Sequence, residues 1–262
     1  MKFIGKRGRL VIALTLGLLL QGCASPTTKS SAGGPDAKAA YQQHVNLAKQ
    51  YIGLKNRELA RIHLSKAERF QNAVDKARLS ELYNGYALLY QSELEMELAE
   101  KYYRKALVSD ATDSVARYNF SSFLYNQERF EEALEQIVLV SEDLDYRRRP
   151  QAFYITGLVQ IRLGDAVGAL KSFERATQLA AQFALPYLEI AKIYFDQKND
   201  ELAKQSVLHY IGLAGETAEG LWLLVQTELR MGNSQAVLEN GTKLKILFPG
   251  SDEVVKYEGL LK

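Results

Sequence analysis

Cys23 is the only cysteine in this chain of 262 residues, and a thiolate is a strong nucleophile. It follows the only long apolar run, Leu10–Leu20, which contains no acidic residue. A basic segment followed by an apolar core of this length is typical of an export signal, whereas a membrane-spanning helix needs about 20 apolar residues. Residues 1–22 are therefore predicted to be a signal peptide, with its basic segment supplied by Lys2, Lys6, Arg7 and Arg9.

The tetrapeptide Leu20-Gln21-Gly22-Cys23 resembles the bacterial lipobox, in which the cysteine is acylated and becomes the first residue of the mature chain. The resemblance implies a lipoprotein that carries palmitate or similar acyl chains on Cys23, with about 0.8 kcal/mol of membrane affinity for each buried CH2 group. In Gram-negative lipoproteins an aspartate after the cysteine commonly signals inner-membrane retention. Ala24 therefore predicts an outer-membrane anchor that faces the periplasm. The alternative is a buried structural cysteine.

Residues 23–40 are predicted to be the lipidated N-terminus and a flexible linker, because they are rich in small and polar residues. As random coil the linker would span roughly 20 to 25 Å. Cleavage would also remove four of the 33 basic residues, which changes the formal net charge from +2 to about −2 and gives no support for nucleic-acid binding. With the cysteine acylated, no thiol would remain for a disulfide, so packing alone must hold the fold.

From Tyr41 onward the chain repeats with a period of about 34 residues. Small residues recur at position 8 and position 20 of each unit, where two helices can approach to about 8 to 10 Å only if the side chains are small. The pattern resembles the tetratricopeptide repeat. It implies an all-α solenoid of about six helix-turn-helix repeats that forms a right-handed superhelix, with units at 41–79, 80–113, 114–149, 150–183, 184–217 and 218–251 and a capping helix at 252–262.

In such a solenoid the first helix of each unit lines the inner face through positions 2, 5, 9 and 12. Many of these positions are apolar, so we expect a groove that binds an amphipathic or extended peptide. The alternative is that these side chains pack against neighbouring repeats or the terminal helix. The predicted groove residues are Val45, Ile52, Leu88, Tyr118, Tyr125, Tyr154, Leu158 and Ile161, followed in the last two units by Leu188, Phe195, Trp222 and Leu229.

The rest of the sequence offers little chemistry. No Walker loop, GxGxxG, GxSxG or HExxH pattern occurs, so the sequence predicts neither an enzyme, nor a cofactor or metal site, nor a small-molecule substrate. His44, His63 and His209 are isolated in sequence and are expected to face solvent. The basic run Arg147–Arg149 is either a solvated loop or a contact with lipid headgroups or an acidic partner.

A closer resemblance is to the PilF/PilW family of type IV pilus biogenesis lipoproteins. It rests on the order of lipobox, linker and six repeats, and on two runs: LAEKYYRKALVSDATDSVARYNFSSFLYNQERFEEAL from Leu98 to Leu134, and LKILFPGS from Leu244 to Ser251. The resemblance implies a pilotin, a protein that binds the pilus secretin PilQ and promotes its localisation and multimerisation in the outer membrane. Its other partners would be the lipoprotein sorting machinery and, through acylated Cys23, outer-membrane lipid.

Two other classes fit the same features. One is another periplasmic repeat lipoprotein, either a component of the outer-membrane barrel assembly machine or an adaptor for envelope proteases. The other is a lipid-anchored hydrolase. Within the pilotin interpretation, binding is expected at units one to three, where Val45, Ile52, Leu88, Tyr118 and Tyr125 occur.

Overall fold

The computed structural model describes residues 35–261, which form thirteen α-helices and one short 3-10 helix, Gln71–Ala73. Within these residues no helix combines the length and apolar character needed to cross a bilayer. The helices are α1 (Pro35–Gly53), α2 (Arg57–Glu68), α3 (Lys76–Ser92), α4 (Met96–Ser109), α5 (Ser114–Asn126), α6 (Phe130–Glu142), α7 (Arg149–Arg162), α8 (Ala166–Leu179), α9 (Leu185–Asp196), α10 (Asp200–Ala214), α11 (Ala218–Arg230), α12 (Ser234–Leu247) and α13 (Asp252–Leu260).

The helices pack in six consecutive pairs, from α1 with α2 to α11 with α12. The second helix of each pair also contacts the first helix of the next pair, and first helices contact each other at α1–α3, α3–α5, α5–α7 and α9–α11. Helix α13 packs on α11 and α12. The predicted all-α repeat fold is therefore confirmed, and we call the surface formed by α1, α3, α5, α7, α9 and α11 the first-helix face.

The turn inside every pair has the same backbone geometry. The residue at position 15 of each unit has a positive φ, between 57° and 80°. Its N–H and the next N–H bond back to the carbonyls at positions 12 and 11, as in Asn56 to Tyr51 at 2.9 Å and Asn233 to Glu228 at 2.9 Å. This is the Schellman motif, which satisfies the last carbonyls of a helix. Position 15 is occupied by Lys55, Leu94, Glu128, Gly164, Lys198 and Gly232.

The small residues at positions 8 and 20 lie at the crossings within the pairs, and all of them are buried. Position 24 of units one to five carries a larger side chain that is also buried. Position 8 is occupied by Ala48, Ala87, Ser121, Gly157, Ala191 and Val225, and position 20 is occupied by Ala60, Ala99, Ala133, Ala169, Ala203 and Val237.

Two glycines permit especially close packing. A Cβ atom on Gly157 would lie 2.5 Å from the Phe173 ring, so only a glycine lets α7 and α8 approach this closely. A Cβ on Gly241 would lie 2.0 Å from the ring of Tyr257. Gly241 therefore has a positive role that the sequence did not reveal: it lets α13 pack down and close the end of the stack.

The start of the fold differs from the sequence-based boundary. Helix α1 begins at Pro35, inside the stretch that we expected to be a linker, and Ala37 is already buried. An amphipathic turn that contributes a buried alanine can extend the first helix without any large apolar residue. The predicted signal peptide, the acylation of Cys23 and most of the predicted linker lie outside the described residues.

Candidate functional site

The predicted apolar groove is not one continuous surface. Val45 and Leu188, which were expected to line it, have only 1% and 3% of their surface exposed. Val45 belongs to the core formed with Leu64 and Leu82. For these two residues the alternative of packing within the repeats was right and the groove prediction was wrong, because the helices approach closely enough to cover position 5.

The three predicted groove tyrosines each pack against local partners. Tyr118 lies 6.1 Å from the Tyr146 ring, and Tyr125 lies edge-on to Phe130 at 5.6 Å. Tyr154 contacts Phe173 at 5.8 Å, and burial raises its pKa to about 12. The half-buried groove residues are divided among four core clusters: Ile52 in the first, Leu88 and Tyr125 in the second, Tyr154 and Leu158 in the third and Tyr118 in the fourth.

Of the predicted groove residues, only two are exposed to solvent, and both occupy position 12 of their units. Ile161 is 38% exposed and Leu229 is 49% exposed. Next to each of these residues, an arginine lies over an aromatic ring of the preceding unit. Arg162 lies 4.3 Å from the Phe130 centroid and Arg230 lies 3.6 Å from the Phe195 centroid. A guanidinium over a ring face is attractive, so these aromatic surfaces are already partly occupied by the protein's own side chains.

One opening on the first-helix face is lined mostly by polar and charged residues. A cleft of about 710 Å³ is lined by α1, α3, the loop before α5 and the start of α5, and this volume is within the usual range of ligand sites, roughly 300–1,000 Å³. We call it the N-terminal cleft. Five of the lining residues occupy inner-face positions 2, 5 and 9 of their units, but none of them was among the residues predicted to line the apolar groove. They are Gln42, Lys49, Glu81, Asn84 and Val115.

The charges of the N-terminal cleft are incompletely paired. Lys49 Nζ lies 2.6 Å from Glu81 Oε2, and Arg78 Nε lies 3.8 Å from Asp75 Oδ2. The remaining lining carboxylates, Asp110 and Asp113, have no cation within 4.0 Å among the described residues. The cleft therefore has an excess of negative charge.

Asp113 and Asp110 owe their positions to local backbone structure. Asp113 is the N-cap of α5, where Oδ1 accepts hydrogen bonds from the N–H groups of Val115 and Ala116 at 2.9 and 3.0 Å. Its Oδ2 accepts from Ser80 Oγ at 2.7 Å, which ties α5 to α3. Asp110 Oδ1 accepts from the Thr112 N–H at 2.8 Å. Both carboxylates are thus fixed in place by hydrogen bonds, and the charge of Asp113 also acts on the Arg117 guanidinium, whose pKa it raises against the lowering effect of burial.

An asparagine pair forms the floor of the cleft. Asn119 Nδ2 on α5 donates to Asn84 Oδ1 on α3 at 3.1 Å. Asn84 is only 3% exposed and lines the cleft. Among the described residues, Ser121 Oγ is the only buried side-chain polar atom without a hydrogen-bond partner, so the Asn84 amide is open to solvent in the cleft.

A second opening, which we call the C-terminal pocket, has a volume of about 490 Å³ and is lined by α9, α11 and α13. Trp222 and Phe195 supply its apolar surface. Lys192 Nζ lies 2.9 Å from Glu189 and 2.6 Å from Glu219. Burial lowers the pKa of Lys192, but hydrogen bonds to these two carboxylates outweigh it and the pKa is raised.

The basic run Arg147–Arg149 is partly structural. Arg149 Nε donates to the Ser141 carbonyl at 3.0 Å at the end of α6. The Arg148 guanidinium lies 5.1 Å from the Tyr118 centroid. Arg147 and Arg148 are both exposed, so these two remain available for the predicted lipid or acidic contact.

Two of the three histidines are not isolated. His44 on α1 and His63 on α2 lie with their Nδ1 atoms 3.0 Å apart. Burial lowers the pKa of His44, and the nearby His63 and Lys66 lower it further. The expectation that they face solvent was wrong, because the α1–α2 crossing brings residues 19 positions apart together. No cluster of three or more candidate metal ligands exists among the described residues.

The fold and its repeated turn define a tetratricopeptide-repeat protein, and a family profile described as "Tetratricopeptide repeat" matches residues 80–113. A comparison with curated proteins matches "Type IV pilus assembly protein PilF" of Pseudomonas aeruginosa, 28% identical over 256 residues that make up 96% of this chain and 98% of that protein.

Solved structures agree with this match. The structure of Pseudomonas aeruginosa PilF is 27% identical with a TM-score of 0.77 and covers 86% of this chain and 99% of that one. The structure of PilW, described as a widely conserved type IV pilus biogenesis factor, is 20% identical with a TM-score of 0.71 over 88% of this chain and all of that one, and shows the shared fold. The chain is therefore similar to PilF over nearly all of its length and shares its repeat fold with PilF and PilW.

Proposed function

We propose that this protein is a pilotin of the type IV pilus. In this role it is an outer-membrane lipoprotein, anchored through acylated Cys23 and facing the periplasm, that binds the secretin PilQ. It promotes the localisation and multimerisation of PilQ, and pilus biogenesis and twitching motility depend on it. The observation that carries the proposal is the similarity to PilF over 96% of the chain.

The mechanism separates anchoring from recognition. The acyl chains on Cys23 make the protein cargo for the lipoprotein sorting machinery, while the first-helix face of the first three helix pairs holds the secretin. Since the two are bound together, sorting of the lipoprotein also sorts the secretin. The protein acts as a scaffold and not as an enzyme, and the process needs no cofactor.

Deletion of the gene tests this role. We expect loss of surface pili, loss of twitching and a collapse of secretin multimers to monomers on unheated gels. Complementation with the wild-type chain should restore all three, whereas Cys23→Ser should still retain the secretin in a pull-down but fail to deliver it to the outer membrane. Ser30→Ala, a substitution near the anchor that leaves the thiol intact, is the matched control.

Two results would contradict the proposal. One is normal secretin multimers and normal pili in the deletion strain. The other is a general loss of outer-membrane barrel proteins, which would assign the protein to barrel assembly instead.

A further inference from the structure

The starting observation is a pair of imidazole rings that face each other within the first helix pair. His44 on α1 and His63 on α2 lie with their Nδ1 atoms 3.0 Å apart. Both side chains are half-buried, so water can reach the pair. The third histidine, His209, contacts the ring of Tyr187 at a centroid distance of 4.1 Å. The pairing of two imidazoles is therefore a feature of the crossing between α1 and α2.

Aromatic neighbours hold both imidazoles in position. The His63 ring stacks on Tyr51 of α1, with centroids 5.4 Å apart and an interplanar angle of 19°. The His44 ring stacks on Phe70, which follows α2, with centroids 6.5 Å apart and an angle of 20°. Each imidazole is thus packed against a residue that the opposite helix positions. Side chains that are already held in place lose little freedom when a ligand binds, so the pair is preorganised.

The distance between the two nitrogens fits a metal ion. Imidazole nitrogens bind transition metals at about 2.0–2.1 Å, so two of them at a right angle around one ion lie about 2.9 Å apart, whereas a tetrahedral angle separates them by about 3.3–3.4 Å. The observed 3.0 Å between the Nδ1 atoms is closer to the right-angled arrangement. Square-planar or tetragonal coordination is typical of Cu²⁺ and Ni²⁺, and Cu²⁺ binds nitrogen ligands more tightly than the other divalent ions of its series.

The protonation of the pair also suits a metal. Burial lowers the pKa of His44, and His63 and Lys66 lower it further, so this ring is neutral at pH 7 and can act as a ligand. In the neutral pair, one Nδ1 carries a hydrogen that it donates to the other. When a metal binds, that ring transfers its proton through water to its own Nε2. Both Nδ1 lone pairs then point to the ion, with no net loss of a proton and no change of oxidation state.

The protein supplies two ligands and leaves the other positions open. Among residues 35–261 no group of three or more histidine, cysteine, aspartate or glutamate side chains is arranged to hold a metal. Water therefore completes the coordination from the open side of the pair. Lys66 lies near enough to His44 to lower its pKa, and its charge also acts against a bound cation. Neither histidine lines the N-terminal cleft.

We propose that His44 and His63 form a two-histidine site that binds a divalent copper ion through their Nδ1 atoms, with water as the remaining ligands. The bound ion links α1 to α2 and stabilises the first helix pair, because it binds the folded chain in preference to the unfolded one. This inference goes beyond the proposed function and does not depend on it. Because the site is outside the N-terminal cleft, copper and a protein partner can bind separately.

The test titrates Cu²⁺ into the full chain, purified in detergent without a polyhistidine tag. Every protein carries Cys23→Ser, so that no thiol competes for the metal. Calorimetry should show one site per chain, and the melting temperature should rise with added Cu²⁺. Electron paramagnetic resonance at one equivalent of Cu²⁺ should show a tetragonal signal with hyperfine structure from two imidazole nitrogens. Mg²⁺, which prefers oxygen ligands, should give neither heat nor a shift in melting temperature.

Histidine variants supply an independent arm. His44→Gln and His63→Gln should each weaken Cu²⁺ binding at least about tenfold, since even the loss of a group that merely supports a ligand costs about 10–100-fold in metal affinity. His209→Gln is the matched control and should bind Cu²⁺ as the parent protein does. Circular dichroism of the metal-free variants checks that each of them is folded.

Three outcomes would overturn the proposal: no Cu²⁺ binding by the parent protein, undiminished affinity in either His44→Gln or His63→Gln, or a resonance spectrum without imidazole nitrogens. None of them bears on the pilotin role, which the deletion strain and the pull-down decide. If the wild type fails to retain the secretin, the pilotin role fails, and the copper titration still decides the chemistry of the histidine pair.

Discussion

The two ends of the first-helix face differ in how closely their charged groups are paired. In the C-terminal pocket, Lys192 bridges two carboxylates at 2.9 and 2.6 Å, and α13 packs over the last helix pair. In the N-terminal cleft, Asp110 and Asp113 accept hydrogen bonds from Thr112 and Ser80, but among the described residues no cation lies within 4.0 Å of either carboxylate.

The difference shows how a repeat fold separates stability from binding. Every helix pair uses the same small residues and the same turn, so the pairs stack alike wherever they occur in the chain. What varies is whether the polar groups on the exposed face are satisfied within the protein. A face whose charges are paired at close range supports the stack, whereas a face whose carboxylates have no cation within 4.0 Å exposes net charge to a partner.

The largest effect on stability is expected from Gly157→Ala, in the helix pair formed by α7 and α8. The new Cβ would lie 2.5 Å from the Phe173 ring, and overpacking of this kind typically costs about 1–3 kcal/mol. Thermal unfolding followed by circular dichroism should show the loss as a lower melting temperature.

Gly212→Ala is the matched control, because nothing lies within 4 Å of a Cβ at that helical position. It should raise the free energy of unfolding by up to about 1 kcal/mol. Equal effects of the two substitutions would contradict the packing argument.

A lysine pair compares the two regions directly. Lys192→Met leaves Glu189 and Glu219 close together without their shared cation, and we expect a loss of about 1 kcal/mol in unfolding free energy. Lys49→Met removes one exposed ion pair, with Glu81, and such pairs contribute about 0–1 kcal/mol. Chemical denaturation of both variants measures the contrast. A larger loss for Lys49→Met than for Lys192→Met would contradict this contrast between the N-terminal cleft and the C-terminal pocket.

The repeated turn gives a smaller, stabilising effect. Leu94 has a φ of 65° and is 77% exposed. A left-handed conformation costs a non-glycine residue about 1 kcal/mol, so Leu94→Gly should raise the unfolding free energy by about 0.5–1 kcal/mol after the greater entropy of glycine in the unfolded chain is included. Gly164→Ala, at the same position of another unit, should lower it. A destabilised Leu94→Gly protein would mean that the turn is not strained.

The smallest predicted effect depends on pH. The pKa of His44 in the folded protein lies below its ordinary value of 6.5, so the unfolded chain binds the proton first as the pH falls. The contribution to stability is therefore full above pH 6.5 and is lost progressively below it. The melting temperature between pH 7 and pH 5 should fall less in His44→Gln than in the wild type. His209→Gln serves as the control and should behave like the wild type.

Much of the fold follows from local sequence rules. The spacing of small residues predicted the crossings, and the pairs Gly164-Asp165, Asn199-Asp200 and Gly232-Asn233 predicted three of the six turns. The other three turns, at Lys55, Leu94 and Glu128, carry no such signal, because the Schellman hydrogen bonds impose the positive φ on residues that do not prefer it. The start of α1 at Pro35 was missed for a similar reason, since only its packing shows that Ala37 is buried.

The candidate site was harder to predict. Apolar residues at inner-face positions suggested a groove, but Val45 is covered by its own repeat and Tyr118 is covered by Arg148. Polar residues at the same inner-face positions, such as Lys49 and Glu81, line the N-terminal cleft. Their arrangement depends on the geometry between α1, α3 and α5, and a periodic sequence pattern does not contain that information.

Photo-crosslinking in living cells tests the central claim most directly. A benzoylphenylalanine placed at Gln42, which lines the N-terminal cleft, is compared with one at Gln226, which lines the C-terminal pocket. The account predicts a covalent adduct with the secretin from position 42 and none from position 226. An adduct from position 226 alone would contradict it.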